Sequence, residues 1–315
     1  MEKPSVDVIL LTYKPAKQVC ELIRRLEKQT LPVHKIIIMN TEEKYFEERF
    51  YGTRFLEQYK NIEVHHLSSR EFDHGRTRDK GISYSEADCF VCMTLDAMPE
   101  NDRLVEELVG HLYQEKVAVA YARQLPGEDC DEIEKYTRQF NYPDTSGIKG
   151  QKDIEQLGIK TFFCSNVCAA YRRDVYDRLG GFIKKTIFNE DMIYAAKVVK
   201  AGYNIAYVAE AQVIHSHNYS CMQQLRRNFD LGVSQADHPE VFEGISSTGE
   251  GMKLVMNTQK YLLQKKMYWK IPILYSKSAF KFLGYQLGKH YRKLPKKMIH
   301  WCTMNPGYWK SNNAW

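Results

Sequence analysis

The last fifth of the chain lacks acidic residues altogether. From Met252 to Trp315 there are thirteen Lys and Arg and no Asp or Glu. The net charge of +6 therefore hides an acidic remainder, because the other residues together carry 6 − 13 = −7. All four Trp also lie in this basic segment, at Trp269, Trp301, Trp309 and Trp315. Such an uneven distribution indicates two parts with different tasks.

Long apolar runs are also missing, and the N-terminal residues lead directly into a strand-like pattern. We therefore expect no signal peptide, no transmembrane helix and a cytosolic protein with reduced thiols. Cys89 and Cys92, with Cys164 and Cys168, have the paired spacing of a zinc site, but both pairs lie in apolar segments. We interpret these four side chains as small buried apolar groups.

The composition, 43% hydrophobic and 27% charged, is that of a folded protein and excludes a disordered chain. Strand patterns and helix patterns alternate, which predicts an α/β fold with helices on the faces of a sheet. The residues between 127 and 158 are polar and predict loops with short helices. Predicted strands cover 6–12, 35–40, 61–67, 89–95, 117–123 and 205–215, and predicted helices cover 17–29, 77–87, 102–114 and 189–201.

Polar side chains stand where several predicted strands end. Thr12, with Tyr13 after it, follows the first strand, Asn40 the second, and Asp96 a later one. In open α/β sheets ligands bind beyond the carboxyl ends of the strands. Asp96 offers the hard oxygen that a divalent cation prefers, although an Asp that opens a turn before Pro99 has the same appearance.

Residues 72–81 (FDHGRTRDKG) combine two glycines, a histidine and several cations just before or within a predicted helix. Arg76, Arg78 and Lys80 are donors suited to a diphosphate. The alternative interpretation of this segment is a solvated turn.

Glu190 and Asp191 open the predicted helix 189–201, where the helix macrodipole favours ionised carboxylates. An ionised Asp191 can act as a general base on a hydroxyl group, although helix capping alone would also explain the pair. Downstream, His215 and His217 flank one serine, which suggests metal ligands, whereas a single histidine there would more often be structural.

Taken together and in this order, these clusters resemble the family 2 glycosyltransferases of the GT-A type over roughly residues 5–235. The segments FDHGRTRDKG, TLDAMP, SNVCAAYRRDVYDRLGGF and NEDMIYAAKVVKAGYNIAYV resemble the bacterial rhamnosyltransferase branch. The resemblance implies a mixed, mainly parallel, Rossmann-like sheet flanked by helices, with a helical C-terminal extension. We accordingly divide the chain into a catalytic domain, 1–235, and a basic aromatic region, 236–315.

The resemblance also implies residue roles. Asp191 matches the catalytic base, and Glu190 would orient the acceptor or support the base. Asn166 and Arg226 would contact the acceptor; Arg226 lies in QQLRRNF, which loosely resembles the Q-x-x-R-W motif of processive relatives. The nucleotide-sugar contacts would be Thr12, Tyr13, Asn40, His74, Gly75, Arg78, Thr94, Asp96 and Ala97.

Two positions depart from the family pattern. Asn40 stands where the family usually has an aspartate. Met98 occupies the last position of D-x-D, and a thioether is no ligand for Mg²⁺ or Mn²⁺. The cation that the resemblance implies would therefore be held by Asp96 and His215, with His217 as a further ligand.

The function implied is transfer of L-rhamnose, with inversion, from dTDP-rhamnose to a lipid-linked saccharide during synthesis of bacterial cell-surface polysaccharide. Alternatives are a UDP-hexose donor, a nucleotidyltransferase, and a non-catalytic protein that binds nucleotide sugars or membranes. The basic, aromatic tail predicts peripheral attachment to the inner membrane leaflet. Alternative interpretations of this tail are a packed helical cap and an oligomerisation arm. A nucleic-acid patch is a third alternative, which agrees less well with the rest of the sequence.

Overall fold

A computed structural model describes residues 4–114, 116–243 and 248–311. Within these residues one mixed sheet has the strand order β3-β2-β1-β4-β8-β6-β9-β5, and β7 pairs with β9 as well. The α/β prediction is therefore confirmed. The strands are β1 (Val6–Tyr13), β2 (Lys35–Thr41), β3 (Ile62–Leu67), β4 (Cys89–Thr94), β5 (Met98–Pro99), β6 (Val117–Leu125), β7 (Gly147–Lys149), β8 (Cys168–Arg172) and β9 (Asn204–Ile214).

The strand directions bring many strand ends to one edge of the sheet. Strands β3, β2, β1 and β4 are mutually parallel. Strand β8 lies antiparallel between β4 and β6, and β6 is parallel to β9. The carboxyl ends of β1, β2, β4, β6 and β9 and the amino end of β8 therefore share one edge.

The strands are apolar throughout because helices cover both faces of the sheet. In β1, Val8 and Leu10 pack in a core with α1 and α4, whereas Ile9 packs in a second core with α7 and α8. The helices are α1 (Gln18–Glu27), α2 (Glu43–Phe50), α3 (His74–Ile82), α4 (Leu104–Leu112), α5 (Glu132–Asn141), α6 (Ile154–Leu157), α7 (Arg173–Arg178), α8 (Glu190–Lys200), α9 (Cys221–Asp237), α10 (Pro239–Phe242), α11 (Thr248–Gln264), α12 (Ile271–Lys289), α13 (Lys296–Cys302) and α14 (Pro306–Ser311).

Helix α3 corrects the predicted helix 77–87, since it begins at His74 and ends at Ile82. The reason is Asp73, whose carboxylate accepts hydrogen bonds from the backbone N–H groups of Gly75 and Arg76 and so caps the helix. The motif 72–81 is thus a capped helix start and not a loop.

Helix α12 packs closely on α9. A Cβ atom on Gly284 would overlap the backbone of Leu225, and one on Gly288 would overlap that of Phe229. A Cβ atom on Gly232 of α9 would likewise overlap the backbone of α12. Helices α9 and α12 therefore meet backbone to backbone, a contact that only glycine permits. The division at residue 235 lies near the end of α9 and stays a prediction.

None of the helices in the described ranges has the length and apolarity that a membrane span requires. Of the four tryptophans, Trp315 lies outside the described residues.

Candidate active site

A buried ion pair ties α3 to α8. Arg78 Nη1 lies 2.9 Å from Glu190 Oε1, and the two side chains are 3% and 8% exposed. Gly75 makes this approach possible, because a Cβ there would overlap the carbonyl oxygen of Ile183. Burial raises the pKa of Glu190, but the charges of Arg78 and His74 and the hydrogen bond from Asn166 together hold it below its ordinary value. Glu190 is therefore held ionised.

Asn166, at the amino end of β8, contacts both acidic residues. Its backbone N–H donates to Asp191 Oδ2 at 3.0 Å, and its side-chain Nδ2 donates to Glu190 Oε1 at 3.1 Å. Its own oxygen accepts a hydrogen bond from Tyr171. Asn166 is 2% exposed, so it positions the two carboxylates, and contact with an acceptor stays a prediction.

Asp191 is half-buried in the first turn of α8, and its electrostatics differ from the expectation for a helix start. The macrodipole was expected to favour its ionised form. Burial first, and then the charge of Glu190, instead raise the pKa of Asp191 above its ordinary value, and the backbone N–H groups of Asn166 and Met192 offset only part of that shift. A carboxylate so placed binds protons more strongly than an ordinary aspartate.

Asp96 forms a cluster with the two histidines after β9. Its Oδ2 lies 3.5 Å from His215 Nε2 and 3.1 Å from His217 Nε2. Removal from water would raise the pKa of Asp96, but the hydrogen bonds with both histidines lower it below its ordinary value. One ligand atom from each residue lies within 4.8 Å of the others. His217, the second choice by sequence, is thus closer to Asp96 than His215.

Gln124, near the end of β6, orients His215. Its Oε1 accepts a hydrogen bond from His215 Nδ1 at 2.9 Å, so Nε2 is the ring nitrogen that faces Asp96. Arg138 of α5 donates to the same oxygen, and Ser165 accepts from the Gln124 amide. An imidazole fixed by such a partner is the usual arrangement of a metal-binding histidine.

Met98 lies on β5, opposite Ile214, and packs against the apolar core. The residue in the last D-x-D position therefore serves packing.

The four cysteines of the considered zinc site are buried, as predicted. Burial raises the pKa of Cys89 and Cys92 to about 12. In the described part of the chain the metal-ligand cluster found contains no cysteine.

Hydrogen bonds connect polar side chains at the ends of β1, β2 and β3. Thr12 Oγ1 donates to Asn40 Oδ1 at 3.0 Å, and Asn40 Nδ2 lies 3.0 Å from His66 Nδ1. Asn40 is fully buried, so its contact with a nucleotide stays a prediction.

Tyr13, by contrast, is 52% exposed, and its ring packs edge-on against Tyr45. Lys14 covers both rings. Exposed Tyr13, packed against half-buried Tyr45, offers a surface on which a nucleotide base could stack.

Arg226, the predicted acceptor contact, and its neighbour Arg227 face different parts of the structure. Arg226 Nε donates to the carbonyl oxygen of Trp301 and faces the C-terminal helices. Arg227 lies over the ring of Phe188, just before Glu190 and Asp191. Arg227 is therefore the arginine on the side of the carboxylates.

Several site residues escaped the sequence analysis, among them Gln124, Arg138 and Asp73. Gln124 is a polar residue near the end of an apolar strand, which is the same signal that marked Thr12 and Asn40. Arg138 had no such signal, because it lies within the irregular segment 127–158.

Two sets of known proteins resemble the chain in sequence. Residues 7–180 match the profile of the family described as Glycosyl transferase family 2. An O-antigen chain rhamnosyltransferase of Salmonella typhimurium is 35% identical over 97% of this chain and 96% of its own length. An O-antigen chain rhamnosyltransferase of Salmonella anatum is 39% identical over 98% of this chain and 96% of its own length.

Two solved structures resemble the chain in fold. A mannosyltransferase from Pyrobaculum calidifontis, in complex with GDP-Man and Mn²⁺, has a TM-score of 0.57 and 15% identity over 98% of this chain and 86% of its own. S. aureus TarS in complex with UDP-GlcNAc has a TM-score of 0.51 and 14% identity over 92% of each chain. These likenesses confirm the GT-A-type architecture.

Proposed function

Because this chain belongs to glycosyltransferase family 2, we propose that it transfers L-rhamnose from dTDP-rhamnose to a saccharide acceptor, with inversion of configuration. The chain is a glycosyltransferase. The choice of rhamnose is carried by one observation, the 35% and 39% identity to two rhamnosyltransferases over nearly the full length. The choice of dTDP rests on the resemblance of four segments, residues 72–81, 94–99, 165–182 and 189–208, to the bacterial rhamnosyltransferase branch.

Asp191 is the residue placed to take a proton from the acceptor hydroxyl. It is half-buried and so in part open to solvent, and its raised pKa makes it a stronger base than an exposed aspartate. Glu190, held by Arg78 and Asn166, supplies the neighbouring negative charge, and the backbone N–H of Asn166 holds Asp191. The acceptor oxygen then attacks the anomeric carbon opposite the departing diphosphate.

The residues after β4 and β9 fit a divalent cation. The cluster of Asp96, His215 and His217 combines a carboxylate with an imidazole oriented by Gln124. A cation bound there would neutralise charge on the leaving diphosphate. Mn²⁺ suits this set better than Mg²⁺, because Mg²⁺ prefers oxygen ligands alone.

Replacement of His217 by Ala tests the metal assignment. We expect the affinity for Mn²⁺ to fall about tenfold or more. Even residues that only orient a metal ligand contribute roughly 10–100-fold to metal affinity, and His217 would be a ligand itself. Titration calorimetry of Mn²⁺ without any donor measures this affinity independently of activity. His111→Ala is the control, because His111 lies outside the cluster. Equal affinities of the two variants would contradict the assignment.

A donor screen tests the proposed function. We expect dTDP-rhamnose to raise the melting temperature, and UDP-galactose or UDP-glucose to raise it less, because a ligand stabilises the state it binds. The screen is run with and without Mn²⁺. A shift with a UDP-hexose and none with dTDP-rhamnose would overturn the rhamnosyl assignment in favour of the alternative donor.

The pH dependence of kcat/KM tests the electrostatics of the base. Asp191 must be ionised to accept a proton, and its pKa lies above the ordinary 3.8. Activity should therefore fall on acidification at a pH well above 3.8. Glu190→Gln removes one cause of the raised pKa, so its acid limb should lie at lower pH. If the acid limbs of the two pH profiles, wild type and Glu190→Gln, coincide, Glu190 does not set the pKa of Asp191.

We also propose that the C-terminal region rests on a membrane surface. Eleven large apolar side chains of its described residues are more than a third exposed, between basic residues, as expected for an interfacial surface. Co-sedimentation with anionic vesicles tests this proposal, and protein that stays in the supernatant would contradict it. These side chains are Met252, Met256, Leu263, Tyr268, Trp269, Ile273, Tyr275, Phe282, Leu283, Trp301 and Met304.

A further inference from the structure

A cavity of about 570 Å³ lies between α5, α9, α11 and α12. Its size is typical of a small-molecule site. It extends along α12 from Leu274 to Tyr285, which at 1.5 Å per residue is about 16 Å. An elongated ligand therefore fits it better than a compact one.

The walls of this cavity are mainly apolar. Leu231 of α9, Val255 of α11 and Leu274 and Phe282 of α12 contribute side chains to them. Burial of a hydrocarbon chain against such walls is favourable by roughly 0.8 kcal/mol per CH₂ group. A sugar nucleotide, which is polar along its whole length, would not gain this energy.

One end of the cavity reaches the candidate active site. His217 and Tyr219 line it, and their rings stack with centroids 4.9 Å apart. His217 also lies 3.1 Å from Asp96. A ligand in the cavity would thus extend toward the reacting sugar.

Cationic side chains line the same cavity. Within the described residues Lys281 of α12 makes no hydrogen bond or ion pair, and burial lowers the pKa of its amine. Lys277 lies one turn away on the same helix. Glu134 also lines the cavity, but Arg138 pairs with it at 2.8 Å. This amine is half-buried in the wall of the cavity, so it is available to pair with the anion of a ligand bound there.

We propose that this cavity binds the carrier end of the acceptor, an apolar prenyl-like chain whose phosphate or diphosphate lies against Lys281 and whose saccharide points toward His217. The proposal rests on the proposed function, because it gives that transferase an acceptor linked to a lipid. The apolar length, the unpaired amine and the continuity with the site each match one part of such a molecule.

Ser278→Trp, with Ser276→Trp as its matched control, tests the proposal. Both serines lie on α12, but only Ser278 lines the cavity. The probe is farnesyl diphosphate, and its binding to the full chain is measured by calorimetry. We expect Ser278→Trp to weaken binding about tenfold or more, because exclusion of two CH₂ groups suffices for that change. Ser276→Trp should bind as the wild type does.

A second pair of variants examines the anion. Lys281→Met should weaken farnesyl diphosphate about tenfold and leave farnesol unchanged, because only the former presents a charge. Lys260→Met, on the exposed surface of α11, is its control. Inorganic diphosphate should bind Ser278→Trp and the wild type alike. Together these probes distinguish the contribution of the apolar chain to binding from that of the anion.

The outcomes separate this proposal from the proposed function. Equal binding of farnesyl diphosphate by Ser278→Trp and Ser276→Trp, both with wild-type melting temperatures, would overturn the cavity assignment. The thermal shift with dTDP-rhamnose, recorded without any lipid, reports on the donor site alone. A wild type that shows a shift with a UDP-hexose and none with dTDP-rhamnose would overturn the proposed function and leave the lipid-binding result standing.

Discussion

Replacement of Asp191 by Asn lowers the rate of sugar transfer by about 10²–10⁴, the contribution of a positioned acid–base group. The amide keeps the size of the carboxylate and can still accept from the backbone N–H of Asn166, but it cannot take up a proton. Donor binding should therefore persist. The measurement is kcat for transfer, together with donor affinity from thermal shift.

Asp177→Asn is the matched control, because this exposed aspartate of α7 lies outside the site. Its rate should equal that of the wild type. If Asp191→Asn keeps full activity, Asp191 is not the base. If the wild type binds donor without turning it over, the alternative of a non-catalytic nucleotide-sugar-binding protein gains support.

Replacement of Arg78 by Met should lower the free energy of unfolding by about 3–5 kcal/mol, the usual cost of breaking a buried ion pair. The cause is Glu190, which is buried and would lose its cationic partner. Transfer should fall as well, since the carboxylate beside Asp191 would no longer be held. Urea unfolding measures the stability.

Arg76→Met serves as the control on the same helix, because Arg76 is exposed. Its effect on the free energy of unfolding should stay within about 0.5 kcal/mol. The double variant Arg78→Met with Glu190→Gln should recover part of the lost stability, because it removes the unpaired charge. A single Arg78→Met variant as stable as Arg76→Met would contradict the structural role assigned to the pair.

Much of the sheet could be predicted from sequence, because strands covered on both faces have continuous apolar runs such as Val6–Tyr13. The antiparallel insertion of β8 could not, since strand order depends on contacts between distant segments. Helix α3 was placed too late along the chain because the cap at Asp73 was not recognised. Local capping chemistry would have corrected its start.

The site was predictable where a single residue carries the signal. Asp96 and Asp191 stand at element ends, and the structure gives them histidine and backbone partners. Arg78 was assigned to the nucleotide sugar, but its ion pair with Glu190 depends on how α3 meets α8. The raised pKa of Asp191 likewise depends on burial, which no local pattern contains.

Composition predicted a basic, aromatic C-terminal region but gave no indication of the cavity within it. That cavity lies between helices from separate segments, so its walls are adjacent only in the folded chain. The lysines at 277 and 281, which sequence counts merely as basic residues, differ from the others because they face this cavity.

The glycine contacts between α9 and α12 bear on how this enzyme can be recombined with its relatives. Since Gly284 and Gly288 lie against the backbone of α9, each helix has the shape that the other requires. A chimera joined after α9 would combine surfaces shaped for different partners. An exchange that begins before Cys221 would carry both helices together, and the acceptor end of the enzyme would be inherited as one unit.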